Sequence, residues 1–127
     1  MAVQVLIVDD QAPFRLAARL VVEATDGFEV VGEVETGEAS IEAARELAPD
    51  LILMDVNLPG INGLEATQRI LADNHSKRPV VVLVLSTYEA AEFAPRAAEA
   101  GAAGFIPKSE FTPDRLEEEW AAAQPVA

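Results

Sequence analysis

Apolar and polar positions fall in blocks along this chain. Val3–Val8 is apolar apart from Gln4, as a strand covered on both faces requires. Residues 50–55 and 80–85 repeat that run, the latter rich in β-branched side chains. Residues 28–34 and 103–107 read as two further, weaker strands. Between them the spacing turns helical. Pro13 suits a first helical turn, where its missing N–H costs nothing, and Phe14, Ala17, Ala18 and Val21 follow on one face, with Gly27 ending the segment. Thr36 predicts an N-cap for a helix carrying Ile41, Ala44 and Ala48, which Pro49 stops. Asn62, with Glu65 three residues on, predicts a capped helix through about Leu71. A fourth helix carries Phe93 and Ala97 and ends near Gly101. Pro95 lies in its path. A mid-helix proline costs ~3 kcal/mol, so this helix is predicted to start late, near residues 91–93, leaving 86–90 as loop. Thr112, Pro113 and Asp114 open a last helix, with Leu116, Trp120 and Ala123 on one face.

Strands alternating with helices predict an α/β fold: a doubly wound, five-stranded parallel sheet with helices on both faces, joined by right-handed crossovers. Residues 1–127 read as one domain, without repeats, linkers or low-complexity segments.

Composition narrows the function. No apolar run approaches the roughly 20 residues of a membrane span. The N-terminus lacks the basic start and cleavage site of a signal peptide, and there is no cysteine for disulfides or thiolate metal sites. A formal net charge of -13 opposes direct nucleic-acid binding by this chain. A cytoplasmic location, with no membrane partner, is the expectation.

Candidate chemistry sits where strands end. Asp9 and Asp10 follow the first apolar run, Asp55 closes the third, Ser86 follows the fourth and Lys108 the fifth. In an open parallel sheet these ends converge on one crevice. Asp55 can attack phosphorus to give an aspartyl phosphate, given charge screening and in-line placement. Mg2+ suits that task, using few carboxylates and keeping several waters. Asp10 and Asp55 would be direct ligands, Asp9 could hold a metal-bound water, and the Asn57 backbone carbonyl lies two residues past Asp55. Lys108 could neutralise one phosphoryl oxygen, and Ser86 could donate to another.

Taken singly these residues are unremarkable. A lone strand-end Asp is usually a cap or turn residue, Lys108 alone a solvated lysine, and Ser86 alone a capping residue. Adjacent Asp9 and Asp10 are odder, because paired carboxylates repel without a cation. Their coincidence at the ends of different strands favours a site. His75 reads as solvated, Trp120 as packing, and residues 117–119, all Glu, as an exposed helix face. The glycines form neither a Walker nor a dinucleotide loop.

At these residues the chain resembles the receiver domain of bacterial two-component response regulators, over nearly its whole length. The resemblance rests on LIVDD at 6–10, PDLILMDVNLPGING at 49–63, VLST at 84–87 and AGAAGFIPK at 100–108. DGFEVVGE at 26–33 is similar to the subgroup with C-terminal helix-turn-helix output domains. The resemblance implies the flavodoxin-like strand order 2-1-3-4-5. It implies Asp55 as phosphoacceptor, Asp9 and Asp10 as the acidic pair holding Mg2+, and Asn57 adding its main-chain oxygen. It further implies Ser86 as switch hydroxyl, Lys108 as the phosphoryl-contacting lysine, and Phe105 at the switch-aromatic position, where Tyr is common. A sensor histidine kinase is the implied partner. A DNA-binding output domain or a downstream protein would take the signal, and a homodimer through the fourth or fifth helix is compatible with the sequence. Either a stand-alone regulator or an excised receiver is the expectation for a receiver sequence read to residue 127.

The chain departs from the family pattern at three places. Ser109, not proline, follows Lys108, which weighs against a cis peptide there; Thr87 stands where a smaller residue is frequent; and Pro95 lies in the output face. Three rivals share the architecture. A pseudo-receiver would bind proteins without phosphorylation. An aspartate-nucleophile phosphatase would want a second acid where Asn57 stands. A flavodoxin-like electron carrier would meet repulsion between Asp9, Asp10 and the FMN phosphate.

Overall fold

The computed structural model describes residues 2–73, 79–87 and 90–124; His75 and Tyr88 lie outside them. The apolar runs become strands β1 (Val3–Val8), β2 (Phe28–Val34), β3 (Leu51–Asp55), β4 (Val81–Ser86) and β5 (Gly104–Pro107). They alternate with α1 (Ala12–Glu23), α2 (Gly37–Leu47), α3 (Gly63–Asp73), α4 (Ala90–Ala100) and α5 (Pro113–Ala123). All pairings are parallel, in the order β2-β1-β3-β4-β5, as the chain's alternation and its resemblance anticipate.

Successive residues of a strand face opposite sides, so each inner strand feeds two cores. Val5 and Ile7 of β1, with Leu51, Leu53, Leu83, Leu85 and Ile106, pack against Ala18 and Val22 of α1 and Leu116 of α5. Leu6, Val8, Ile52, Met54, Val82 and Val84 pack against Ala43, Ala66, Ile70, Ala97 and Ala100 of α2, α3 and α4. Full burial of such a side chain contributes about 1.5–3 kcal/mol. Trp120 stands edge-on to Phe28 with ring centroids 6.1 Å apart, so it does pack.

Capping follows the local chemistry. The Thr36 hydroxyl accepts from the Ala39 N–H at 3.0 Å, Asn62 Oδ1 accepts from the Glu65 N–H at 2.9 Å, and Thr112 Oγ1 accepts from the Arg115 N–H at 3.2 Å. Helix α1 stops earlier than Gly27 predicts: the Thr25 hydroxyl turns back to the Val21 carbonyl at 2.7 Å, and Gly27 (φ +85°) serves the turn into β2.

The fourth helix corrects the sequence expectation more substantially. It starts at Ala90 with Pro95 in its interior, and Ser86 belongs to β4 rather than to a loop. Pro95 lies on the exposed side, while Ala97 and Ala100 are buried against the sheet. Burial of that face outweighs the one hydrogen bond the proline forfeits; tertiary packing overrides local propensity.

Candidate functional site

Register places the chemistry. Asp55 pairs with Leu85, and Ser86 pairs with Pro107, the residue before Lys108. The sheet continues past the strands through Asp9 N–H to the Val34 carbonyl (3.1 Å) and Val56 N–H to the Leu85 carbonyl (3.1 Å). Asp9, Asp10, Asp55, Ser86 and Lys108 therefore all lie along the C-terminal rim.

There the three carboxylates gather, each offering an oxygen within 4.8 Å of the others. Asp9 is 1% and Asp55 4% exposed, while Asp10 is half-buried. The Lys108 ammonium lies 2.6 Å from Asp9 Oδ2 and 3.5 Å from Asp55 Oδ1. The first contact is an ion pair without hydrogen-bond alignment, so Asp9 Oδ2 is buried with no hydrogen-bond donor. Asp9 Oδ1 accepts from the Gln11 N–H at 2.8 Å. The same ammonium lies 4.4 Å from the centroid of the Phe14 ring, which meets Phe111 at 6.4 Å.

Burial, and after it the Asp9 charge, pushes the Asp55 carboxyl up to about 6. Lys108 and the Asn57 backbone N–H oppose that shift without cancelling it. The site thus holds more negative charge than its one ammonium balances. A small oxygen-seeking dication fits a hard, oxygen-only donor set whose buried Asp9 Oδ2 meets the Lys108 ammonium but no aligned hydrogen-bond donor.

The other expected residues surround this cluster. Asn57 is exposed in the loop after β3, Ser86 is buried at the end of β4, and Thr87 beyond it is exposed. Phe105 is partly buried and packs toward the α2–α4 core, so Lys108 and Phe105, three residues apart, touch different layers of the fold. Among the described residues no peptide bond is cis.

Three supporting residues escaped the sequence reading. The Arg15 guanidinium donates to the Asp9 carbonyl at 2.8 Å and pairs with Glu33 at 3.6 Å, fixing the acidic loop to β2. Glu38 accepts from the Ile61 N–H at 3.3 Å, holding the loop beyond Asp55 against α2. Gly63 donates to the Val56 carbonyl at 2.9 Å, and a Cβ there would fall 1.9 Å from the Asp55 carbonyl oxygen. Only glycine lets α3 start so close above β3.

A family model for the response regulator receiver domain matches residues 5–121. This chain belongs to the response regulator receiver domain family. Among curated relatives, a putative transcriptional regulator of Pseudomonas aeruginosa is 45% identical over 107 residues, covering 84% of this chain and 50% of the relative. The response regulator GacA of Pseudomonas viridiflava is 42% identical over 106 residues, covering 84% and 48%. The chain spans about half the length of these relatives. The crystal structure of the response regulator domain of Thermotoga maritima CheB superposes with a TM-score of 0.85 at 30% identity, covering all of both chains. The receiver is a signalling domain of the phosphorylation-activated kind, with the flavodoxin-like fold. Receiver domains hold Mg2+ at an acidic pocket, and Asp9, Asp10 and Asp55 cluster here closely enough that they could hold a metal ion. Among the described residues no helix is long and apolar enough to cross a membrane.

Proposed function

We propose that Asp55 is the phosphoacceptor of this receiver, that residues 1–127 act as one domain, and that a sensor histidine kinase is the donor. The observation carrying this reading is the cluster of three carboxylates at the sheet rim, two of them paired with the Lys108 ammonium.

Asp9, Asp10, Asp55 and the Asn57 main-chain carbonyl would hold Mg2+. When bound, the ion screens the repulsion between carboxylate and phosphoryl oxygens. The Asp55 carboxylate attacks phosphorus in line; the P–O bond forms as the P–N bond to the donor imidazole breaks, and the imidazole leaves with the bonding pair. A carboxyl titrating near 6 is mostly ionised at neutral pH and so is competent to attack. Lys108 turns from Asp9 to a phosphoryl oxygen, giving up a contact for a stronger one. Ser86 donates to a second oxygen, and Phe105 packs inward, shifting the face made by α4, β5 and α5. That shift is a change of population driven by contacts only the phosphorylated state makes. Attack by water on the aspartyl phosphate returns the resting state.

The relative named as a putative transcriptional regulator suggests a transcriptional output. A DNA-binding segment or a downstream protein would deliver it from the cytoplasm. Labelling with acetyl phosphate and magnesium tests the assignment. Asp55→Asn should take no label; undiminished labelling would remove Asp55 from this role. Amide shifts near Asp55 during a magnesium titration test the metal, and an unresponsive spectrum would favour a receiver that binds partners without phosphorylation.

A further inference from the structure

We propose that Phe14 is a positioning residue for Lys108: its ring face holds the ammonium where the phosphoryl group arrives. This inference rests on the phosphoacceptor reading of Asp55. The ammonium lies 4.4 Å from the Phe14 centroid on one side and faces Asp9 at 2.6 Å and Asp55 at 3.5 Å on others. Lysine carries a compact charge on a flexible stem, so a lysine that must meet a transient oxygen needs its direction set in advance. A third carboxylate, beside Asp9 and Asp55, could set it but would compete with the phosphoryl group. A phenyl face attracts the cation through its quadrupole and offers no lone pair, leaving the ammonium N–H groups for oxygens. Phe111 holds the Phe14 ring from the segment just past Lys108, with centroids 6.4 Å apart and planes inclined by 43°. The lysine and its support are thus locked to one another across α1 and the β5–α5 connection.

The test compares Phe14→Leu, Phe14→Met and Phe14→Tyr in the full chain. Acetyl phosphate serves as donor at saturating magnesium. Leu and Met fill the space without a ring face, so their maximal labelling rate should fall about 3- to 30-fold, the span of ammonium–ring contacts from exposed to desolvated. The magnesium concentration for half-maximal rate should stay within about twofold, because Phe14 is no ligand. Tyr should restore the rate. The Lys108 ε-methylene protons should show an upfield ring-current shift in the parent and the Tyr variant, absent in Leu and Met. Parent-like rates in Leu and Met, equal slowing in Tyr, or no ring-current shift in the parent would each overturn the proposal. A parent that takes no label, or one whose Asp55→Asn variant labels equally, would instead overturn the phosphoacceptor reading, and the role of Phe14 with it.

Discussion

Replacing Asp55 with Asn should make the metal-free protein more stable at neutral pH. Asp55 holds its proton up to about 6 in the fold, against 3.8 for the unperturbed side chain. Across that window the folded state binds a proton the unfolded chain has released. Stability therefore falls as pH rises from about 4 to about 6 and stays reduced above. A shift of roughly 2 units corresponds to about 3 kcal/mol at 1.36 kcal/mol per unit, an upper bound for the gain on neutralising the side chain. Asn mimics the protonated carboxyl in shape and charge, so its advantage should be largest above pH 7 and vanish near pH 4. For a domain of this size that gain corresponds to a midpoint shift of about 10 °C. Urea unfolding of both proteins at several pH values, with chelator present, measures it. Added magnesium should narrow the gap by stabilising the parent alone. An Asn variant no more stable at pH 7, or a gain of equal size at pH 4, would refute the account of crowded buried charge.

Further outcomes follow from the same geometry. Gly63→Ala would push a methyl to 1.9 Å from the Asp55 carbonyl oxygen, where ~3.3 Å is ordinary, and should cost about 3 kcal/mol or more in urea unfolding; a loss under ~0.5 kcal/mol would contradict the close approach. Lys108→Ala leaves Asp9 and Asp55 facing each other without their cation and should destabilise the metal-free fold by about 3–5 kcal/mol, a deficit that magnesium partly reverses in a thermal melt. Pro95→Ala restores a helix hydrogen bond on an exposed face and should stabilise by about 1–3 kcal/mol, read as a rise in the urea midpoint.

The fold was legible because its determinants are local and periodic. Apolar runs at 5–8, 51–54 and 81–85 announce strands covered on both faces, and Thr36, Asn62 and Thr112 cap helices where their chemistry says they should. Pro95 misled because propensity ignores what Ala97 and Ala100 bury two and five residues later. The acidic residues and Lys108 were legible through topology, since parallel strands bring their C-terminal ends together. Their supports were not. Phe14 reads as one more apolar position on a helix stripe, and Arg15 as one more surface charge. Gly63 reads only as the first residue of the helix that Asn62 caps, because nothing in a linear string shows the carbonyl above which it sits.

The sheet divides the interior into two chambers with almost no shared side chains, one under α1 and α5 and one under α2, α3 and α4. Volume changes at Leu6 and at Ile7, neighbours in sequence, are thus felt by different helices. Drift in one chamber leaves the other undisturbed, so α2, α3 and α4 can repack without retuning the wall of α1 and α5 that braces the lysine.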